Sequence, residues 1–388
     1  MNQKALGRAF LKEFTQDAQN IGEGFKLKLS AKKVRGFIAV QQLNMSFQEF
    51  NKLFRCEGRT TGNKYAYDLI GLNNACKMKV NKGREKKFSG EAVKVLSYYG
   101  SKRSWRGEFE LLYEYAAHSL GCTTIIDCFA GSGFLSLLAA KTGFFEKVVL
   151  NELSNIVFNF HFVQKDAEAF KEFIYYLYRF GDVNAQLFKL MKKYLGMGKI
   201  EKRTHVAKAD ATRAAALFIV KNYAHSGQGG YIESRMAPSE HIEALERTHD
   251  LYQSVTLSHH HYKKVLEKYM NDSSILILLD PPYLAETRVQ KKSYNLEFDI
   301  RQHRSLMQLL TKQDIQAKVV LCGYHSDLYE GYFMRYNKKQ ELTQGWHEVK
   351  LLRAGSRQEG AEAKERIWVN FEVQGLVAQN PTLFQILW

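Results

Sequence analysis

TTIIDCFAGSGFLSLLAAKTG, residues 123–143, reads as a strand, a glycine-rich turn and a helix in direct succession. TTIID (123–127) is apolar and β-branched up to its terminal acid. FLSLLAAKTG (134–143) is a helix stopped by Gly143. Glycines between a strand and a helix let the backbone approach a ligand closely, and the helix start offers free N–H groups. The pattern then repeats. KVVLNE (147–152) is a second strand, and SSILILLD (273–280) is apolar on both faces, as in a buried parallel strand. A helix near 300–313 leads to strands near KVVLCG (318–323), HEVKLL (347–352) and RIWVNF (366–371). Strands alternating with helices predict a doubly wound α/β domain.

The regular pattern starts near residue 92, and SWRGEFELLYEYAAHSL (104–120) has helical apolar spacing. Residues 153–271 read as mostly helical, with aromatic and basic residues interleaved. The block 153–250 interrupts the alternation, so the expected division is a catalytic domain of residues 91–152 and 255–388 around a helical insert, 153–254. Residues 1–90 stand apart as a basic N-terminal region of short helical and strand-like pieces, joined through the charged connector KMKVNKGREKKFSGE (77–91).

The net charge of +16 is unevenly spread: residues 1–100 hold 19 Lys/Arg against 8 Asp/Glu, which places +11 there. Such an excess suits a polyanionic partner, because phosphate neutralisation releases counterions. No run approaches the length of apolar residues that a membrane helix needs, and the N-terminus lacks the apolar core of a secretory signal. Cys56, Cys76, Cys122, Cys128 and Cys322 are scattered without a CxxC, which fits a reducing compartment without disulfides or structural zinc.

Two motifs carry chemistry. Asp127-Cys-Phe-Ala-Gly131-Ser-Gly133 opens the first, and Asn151-Glu152 closes the second strand about 20 residues on, where an acid accepts from ribose hydroxyls. Together they suit an adenosine-containing cofactor, either a dinucleotide or S-adenosylmethionine. The second motif is Asp280-Pro281-Pro282-Tyr283 at the end of an apolar strand, using two of only four prolines. Ligands of open α/β sheets bind at the strands' carboxyl ends. The prolines fix the backbone so that the Asp280 side chain and a neighbouring carbonyl converge as acceptors for an exocyclic amine. The Tyr283 ring suits stacking on a base. A plain turn is the other reading of this tetrapeptide.

DPPY (280–283) with DCFAGSG (127–133) resembles the amino-methyltransferases that modify DNA bases. Ser97-Tyr98-Tyr99-Gly100-Ser101-Lys102 upstream is similar to the element preceding the cofactor loop in the Dam-like DNA adenine methylases, and the order of elements also matches. DPPYLAETR (280–288) and Ile367-Trp368-Val-Asn370 are similar to phage-type members. The resemblance spans roughly 92–372. It implies a Rossmann-like methyltransferase sheet and S-adenosylmethionine-dependent methylation of adenine N6 in double-stranded DNA, with the target base flipped out. Cytosine N4, an RNA adenine, or a catalytically silent DNA-binding homologue are the alternatives. It also implies a cytoplasmic setting, in a bacterial host or encoded by a phage, and admits a cognate restriction enzyme as a partner. Oligomeric state is not legible.

The same resemblance implies residue roles. Tyr98, Tyr99, Gly100 and Lys102 line the cofactor and target pocket. Asp127, Phe129, Ala130, Gly131 and Gly133 hold the methionine end of the cofactor, and Glu152 its ribose. Asp280 and the Pro281 carbonyl accept from the target amine, Pro282 fixes the turn, and Tyr283 stacks on the base. Where the family has an acid that accepts from the cofactor's adenine amine, this chain has His261, in VTLSHHHYKKVL (255–266); a neutral imidazole nitrogen also accepts. The run His259-His260-His261, read on a helix, points its side chains apart, and no Cys or acid cluster follows, so no metal is expected. Asn222 and Gly227, after an apolar helix, fall where the family reads DNA; a core helix with a loose cap is the alternative. Arg288, Lys291, Lys292 and Tyr294 suit phosphate contact near the active mouth, or simply a solvated loop.

Overall fold

A computed structural model of the chain describes residues 6, 9–10, 13–14, 21–22, 25–41, 45–54, 57–60, 64–68, 96–97, 100–180, 183, 185–196, 206, 208–224, 237–287, 297–312, 315–340, 345–352 and 365–387. In chain order the elements are β1 (Ile21–Gly22), β2 (Lys26–Ser30), α1 (Ala31–Val40), α2 (Phe47–Leu53), β3 (Glu57–Thr60), β4 (Lys64–Asp68), α3 (Arg106–His118), β5 (Thr124–Asp127), α4 (Phe134–Thr142), β6 (Lys147–Asn151), α5 (Asn155–Lys165), α6 (Ala167–Arg179), α7 (Ala185–Tyr194) and α8 (Ala211–Asn222). There follow α9 (Ile242–Gln253), β7 (Val255–Ser258), α10 (Tyr262–Tyr269), β8 (Ile275–Leu279), α11 (Ile300–Lys312), β9 (Lys318–Tyr324), α12 (Asp327–Gln340), β10 (His347–Leu351), β11 (Glu365–Val369), α13 (Gln374–Gln379) and β12 (Phe384–Ile386). The chain gathers into two compact units, residues 1–98 with 159–249 and residues 99–158 with 250–388.

The first unit holds a four-stranded antiparallel sheet of order β1-β2-β4-β3. On β2, buried Leu27 and Leu29 flank exposed Lys28, the alternation of a half-buried strand. Ser30 caps α1, and Ser46 with Glu49 forms a capping box on α2. Phe10 packs against Phe14, Phe37, Phe50, Phe54 and Tyr67. On α6 the residues Ala169, Phe170, Phe173, Tyr176 and Leu177 fall on one buried stripe. Phe25 meets Tyr176 and Phe180 edge-on, and Arg179 pairs with Asp68 at 2.5 Å. The N-terminal region and the helical insert, read apart in sequence, therefore lie in one unit. Capped by Asp210, α8 is buried along nearly its whole length, a core helix by burial.

The second unit carries an eight-stranded sheet of order β12-β10-β11-β9-β8-β5-β6-β7. Strands β7, β6, β5, β8 and β9 run parallel, and β11, β10 and β12 pair antiparallel beyond them. All five residues of β8 are buried, as a central parallel strand requires. Strand order runs outward from β5 through β6 to β7, then resumes on the other side of β5 with β8 and β9. The carboxyl ends of β5 and β8 thus form a topological switch point, where open α/β sheets bind ligands. Helix α4 ends at Gly143, whose φ of 69° is the left-handed cap that glycine provides. The expected Rossmann-like α/β architecture is present.

One expectation needs correcting. Residues 255–258 are not helical but form β7, an edge strand paired with β6. The three histidines consequently sit in the turn after β7, not on a helix, and His261 is the N-cap of α10.

Candidate active site

The loop after β5 and the tetrapeptide after β8 leave the same edge of the sheet. The two strands are parallel neighbours, with Asp127 opposite Leu278, and Cys128 N–H donates to the Leu278 carbonyl at 3.0 Å. Gly131 (φ 52°) and Gly133 (φ 78°) take left-handed conformations open to glycine at little cost, turning the chain sharply into α4. Gly133 is the N-cap of α4 and supplies no side-chain acceptor to the helix's first turn.

Asn151 clamps this edge. Its Nδ2 donates to the carbonyls of Cys128 (3.0 Å) and His260 (2.9 Å), and its Oδ1 accepts from Ser258 Oγ and His260 N–H, both at 2.9 Å. One fully buried amide therefore joins the carboxyl ends of β5, β6 and β7. Sequence reading passed over it, because a polar residue at a strand end carries no signal of which way it turns. Next to it, Glu152 is buried and accepts from Gly131 N–H (2.8 Å) and Ser154 N–H (2.7 Å). The residue expected at the ribose thus also shapes the glycine loop.

Asp127 is buried, with Oδ2 accepting from Ser136 Oγ (2.8 Å) and Oδ1 from Phe129 N–H (3.3 Å). Burial, with Asp280 and Glu152 nearby, pushes its carboxyl up to about 7 against the favourable bonds from Ser136 and Phe129. An acid with a raised folded-state pKa stabilises the fold below its unfolded pKa, and that contribution is lost as pH rises through the folded value. In the cofactor-free protein, stability should therefore fall between about pH 4 and pH 7 relative to Asp127→Asn. We expect the difference between wild type and Asp127→Asn in urea unfolding to change by about 3 kcal/mol from pH 5 to pH 8. Parallel curves would show that Asp127 does not titrate in this window.

Beyond β8, Lys102 is almost wholly buried, its Nζ 2.8 and 2.9 Å from the two Asp280 oxygens and 3.1 Å from the Gly100 carbonyl. Glu365 Oε1 lies 3.5 Å from the same ammonium. Burial acts to lower the Lys102 pKa, but the carboxylates of Asp280 and Glu365 outweigh it and hold the group above its ordinary range. Tyr283 is also buried. Its hydroxyl donates to Glu365, Lys102 Nζ lies 4.8 Å from its ring centre, and Tyr324 meets it edge-on. Glu365 was not singled out from sequence. It is the first residue of β11, and in that antiparallel strand it lies opposite Tyr324, the last residue of β9. An antiparallel strand brings its start, not its end, to the carboxyl edge of its parallel neighbours.

On the β7 side, Phe129 packs against Tyr262 and Phe298. His261 Nδ1 accepts from Lys263 N–H at 3.4 Å, closing the first turn of α10. That bond engages Nδ1 of His261 at the helix start. Asn222 donates to the Phe218 carbonyl and accepts from Ser97 Oγ, both at 3.0 Å. Tyr98, Tyr99, Gly227, Arg288, Lys291, Lys292 and Tyr294 lie outside the described residues.

The residues suit an adenosine-bearing cofactor. Asp280 and Glu365 face a single ammonium among the described residues, Lys102, and Glu152 stands beside the glycine loop as an acid placed to accept from ribose hydroxyls. The start of α4 is suited to a carboxylate. Among the described residues, no helix is long and apolar enough to cross a membrane.

A family model for D12 class N6 adenine-specific DNA methyltransferases matches residues 98–354. No curated protein matches the chain. The match takes in the glycine loop, Glu152, the β7 turn and the DPPY tetrapeptide, elements that the fold brings to one sheet edge. The chain belongs to the D12 class of N6 adenine-specific DNA methyltransferases.

Proposed function

We propose that this chain transfers a methyl group from S-adenosylmethionine to the exocyclic N6 of adenine in double-stranded DNA, with the target base swung out of the helix, and that the β5–β8 switch point is where it does so. The observation that carries the reading is the placement of Asp280 on the same sheet edge as the Gly131–Gly133 loop, beside a buried Lys102 and Glu365.

When bound, S-adenosylmethionine supplies a methyl group already activated on a sulfonium, so neither a metal nor a covalent enzyme adduct is required. Gly131, Gly133 and the start of α4 hold its methionine end, Glu152 accepts from the ribose, and Phe129 with His261 borders the adenine. Asp280 and the Pro281 carbonyl accept the two N6 hydrogens, which aims the nitrogen lone pair away from them. Asp280 thereby raises electron density on N6 and stands where it can take the proton that N6 sheds on methylation, and the gain comes from positioning and from dipoles fixed in advance. Extrusion of the base is required because the amine is paired and stacked in duplex DNA. Mass spectrometry of nucleosides from DNA and RNA incubated with the protein and cofactor tests the reading. N6-methyladenine in DNA supports it; N4-methylcytosine, a product only in RNA, or no product with no cofactor binding overturns it.

DNA contact extends, in this reading, to the basic N-terminal sequence. Residues 24–48 hold five Lys/Arg and no Asp/Glu, and Lys28, Lys32 and Lys33 are exposed on β2 and α1. Replacing these three lysines by alanine should lower the slope of log affinity for DNA against log salt by about 2 to 3. An unchanged slope would remove this segment from the DNA footprint.

A further inference from the structure

The ammonium of Lys102 occupies both oxygens of the carboxylate that the proposed chemistry needs free. An incoming amine therefore competes with a resident one. An ammonium drawn off Asp280 and left with the Gly100 carbonyl but no carboxylate in this buried setting would be strongly disfavoured. Glu365 removes that difficulty. Its Oε1 already lies 3.5 Å from Lys102 Nζ, and it is buried and held by the Tyr283 hydroxyl. Glu365 lies outside the matched residues, and no sequence motif points to it.

We propose that Lys102 is a resident stand-in for the target amine and that Glu365 is the positioning residue which takes its ammonium from Asp280 as the adenine enters. The exchange moves hydrogen bonds only. Lys102 keeps its proton; one Nζ–H passes from Asp280 to Glu365, and an N6–H of the base takes the place vacated on Asp280. The resting contact keeps the Asp280 carboxylate oriented before DNA binds. The second carboxylate keeps the ammonium paired afterwards. This inference rests on the reading of Asp280 as the acceptor for the target amine.

The test is single-turnover methylation of unmodified genomic DNA by the full chain, with cofactor affinity measured by calorimetry. Glu365→Gln should slow the methylation step at least ten-fold while S-adenosylmethionine affinity stays within two-fold, which also reports that the variant is folded. Glu365→Asp, which keeps the charge, should recover most of the rate. In a Lys102→Met background there is no ammonium to receive, so adding Glu365→Gln should cost no more than two- to three-fold. Coupling of this kind is the signature of a shared interaction. A residue that merely propped Tyr283 would give the same penalty in both backgrounds and no recovery with Asp, and either result overturns the proposal, as does full activity in Glu365→Gln. Asp280→Ala, which removes the acceptor, run alongside separates the two levels. If it remains active, the reading of Asp280 fails and this inference with it. If it is inactive while Glu365→Gln and Lys102→Met act independently, only this inference fails.

Discussion

Replacing Asp280 by alanine is expected to slow methyl transfer to DNA by about a thousand-fold or more, while affinity for S-adenosylmethionine stays within a few-fold. The separation follows from the sheet. Asp280 stands after β8, whereas the glycine loop and Glu152 follow β5 and β6, so the substitution takes away the acceptor for the amine and leaves the cofactor's residues in place. The variant also keeps Glu365 beside Lys102, so the buried ammonium is not stranded and the protein should fold. Methyl incorporation into DNA and calorimetric titration of the cofactor are the paired measurements. An alanine variant that methylates at the wild-type rate would show that Asp280 is not the acceptor. A variant that is inactive because it no longer binds the cofactor would place Asp280 in the wrong half of the site.

The second large effect is expected at Asn151. Its amide makes four hydrogen bonds from a fully buried position, joining Cys128, Ser258 and His260. Leucine is close in size but leaves two carbonyls, one N–H and one hydroxyl without those partners. Each buried polar group left unpaired costs about 1–3 kcal/mol, and such losses add incompletely. We expect Asn151→Leu to lose roughly 3–5 kcal/mol of stability, read as a melting temperature lower by about 5 °C. Cofactor affinity should fall at least ten-fold, because the ends of β5, β6 and β7 are no longer tied to one another. A melting temperature within 2 °C of wild type would show that the clamp is dispensable.

These two residues differ in how visible they are in the sequence. Asp280 is announced by a rare use of proline after a run of apolar residues. Asn151 is one polar residue at the end of a strand, and what it bonds depends on β7 lying beside β6. That strand escaped sequence reading because VTLS is four residues long, lies at the sheet's edge and follows a long helical stretch. The same omission placed the histidine run on a helix, when His261 in fact starts one. By contrast β5, α4, β6, β8, α11 and β9 were legible, since buried parallel strands are written as continuous apolar runs and their helices end on recognisable signals.

From the order of residues alone came the alternating α/β pattern, the glycine loop, Glu152 and the DPPY tetrapeptide, the motifs on which the resemblance to the amino-methyltransferases rests. Each is a local property, set by side-chain period, backbone permissiveness or the stiffness of proline. Only the tertiary structure decided that the N-terminal region and the helical insert share one unit, through Phe25 against Tyr176 and Asp68 against Arg179. It alone brought Glu365 to Lys102 and Tyr283 across more than 80 residues of chain. The reason is physical. A contact between distant segments follows from which strands pair and in which direction, and neither is encoded in the neighbourhood of the residues that finally meet.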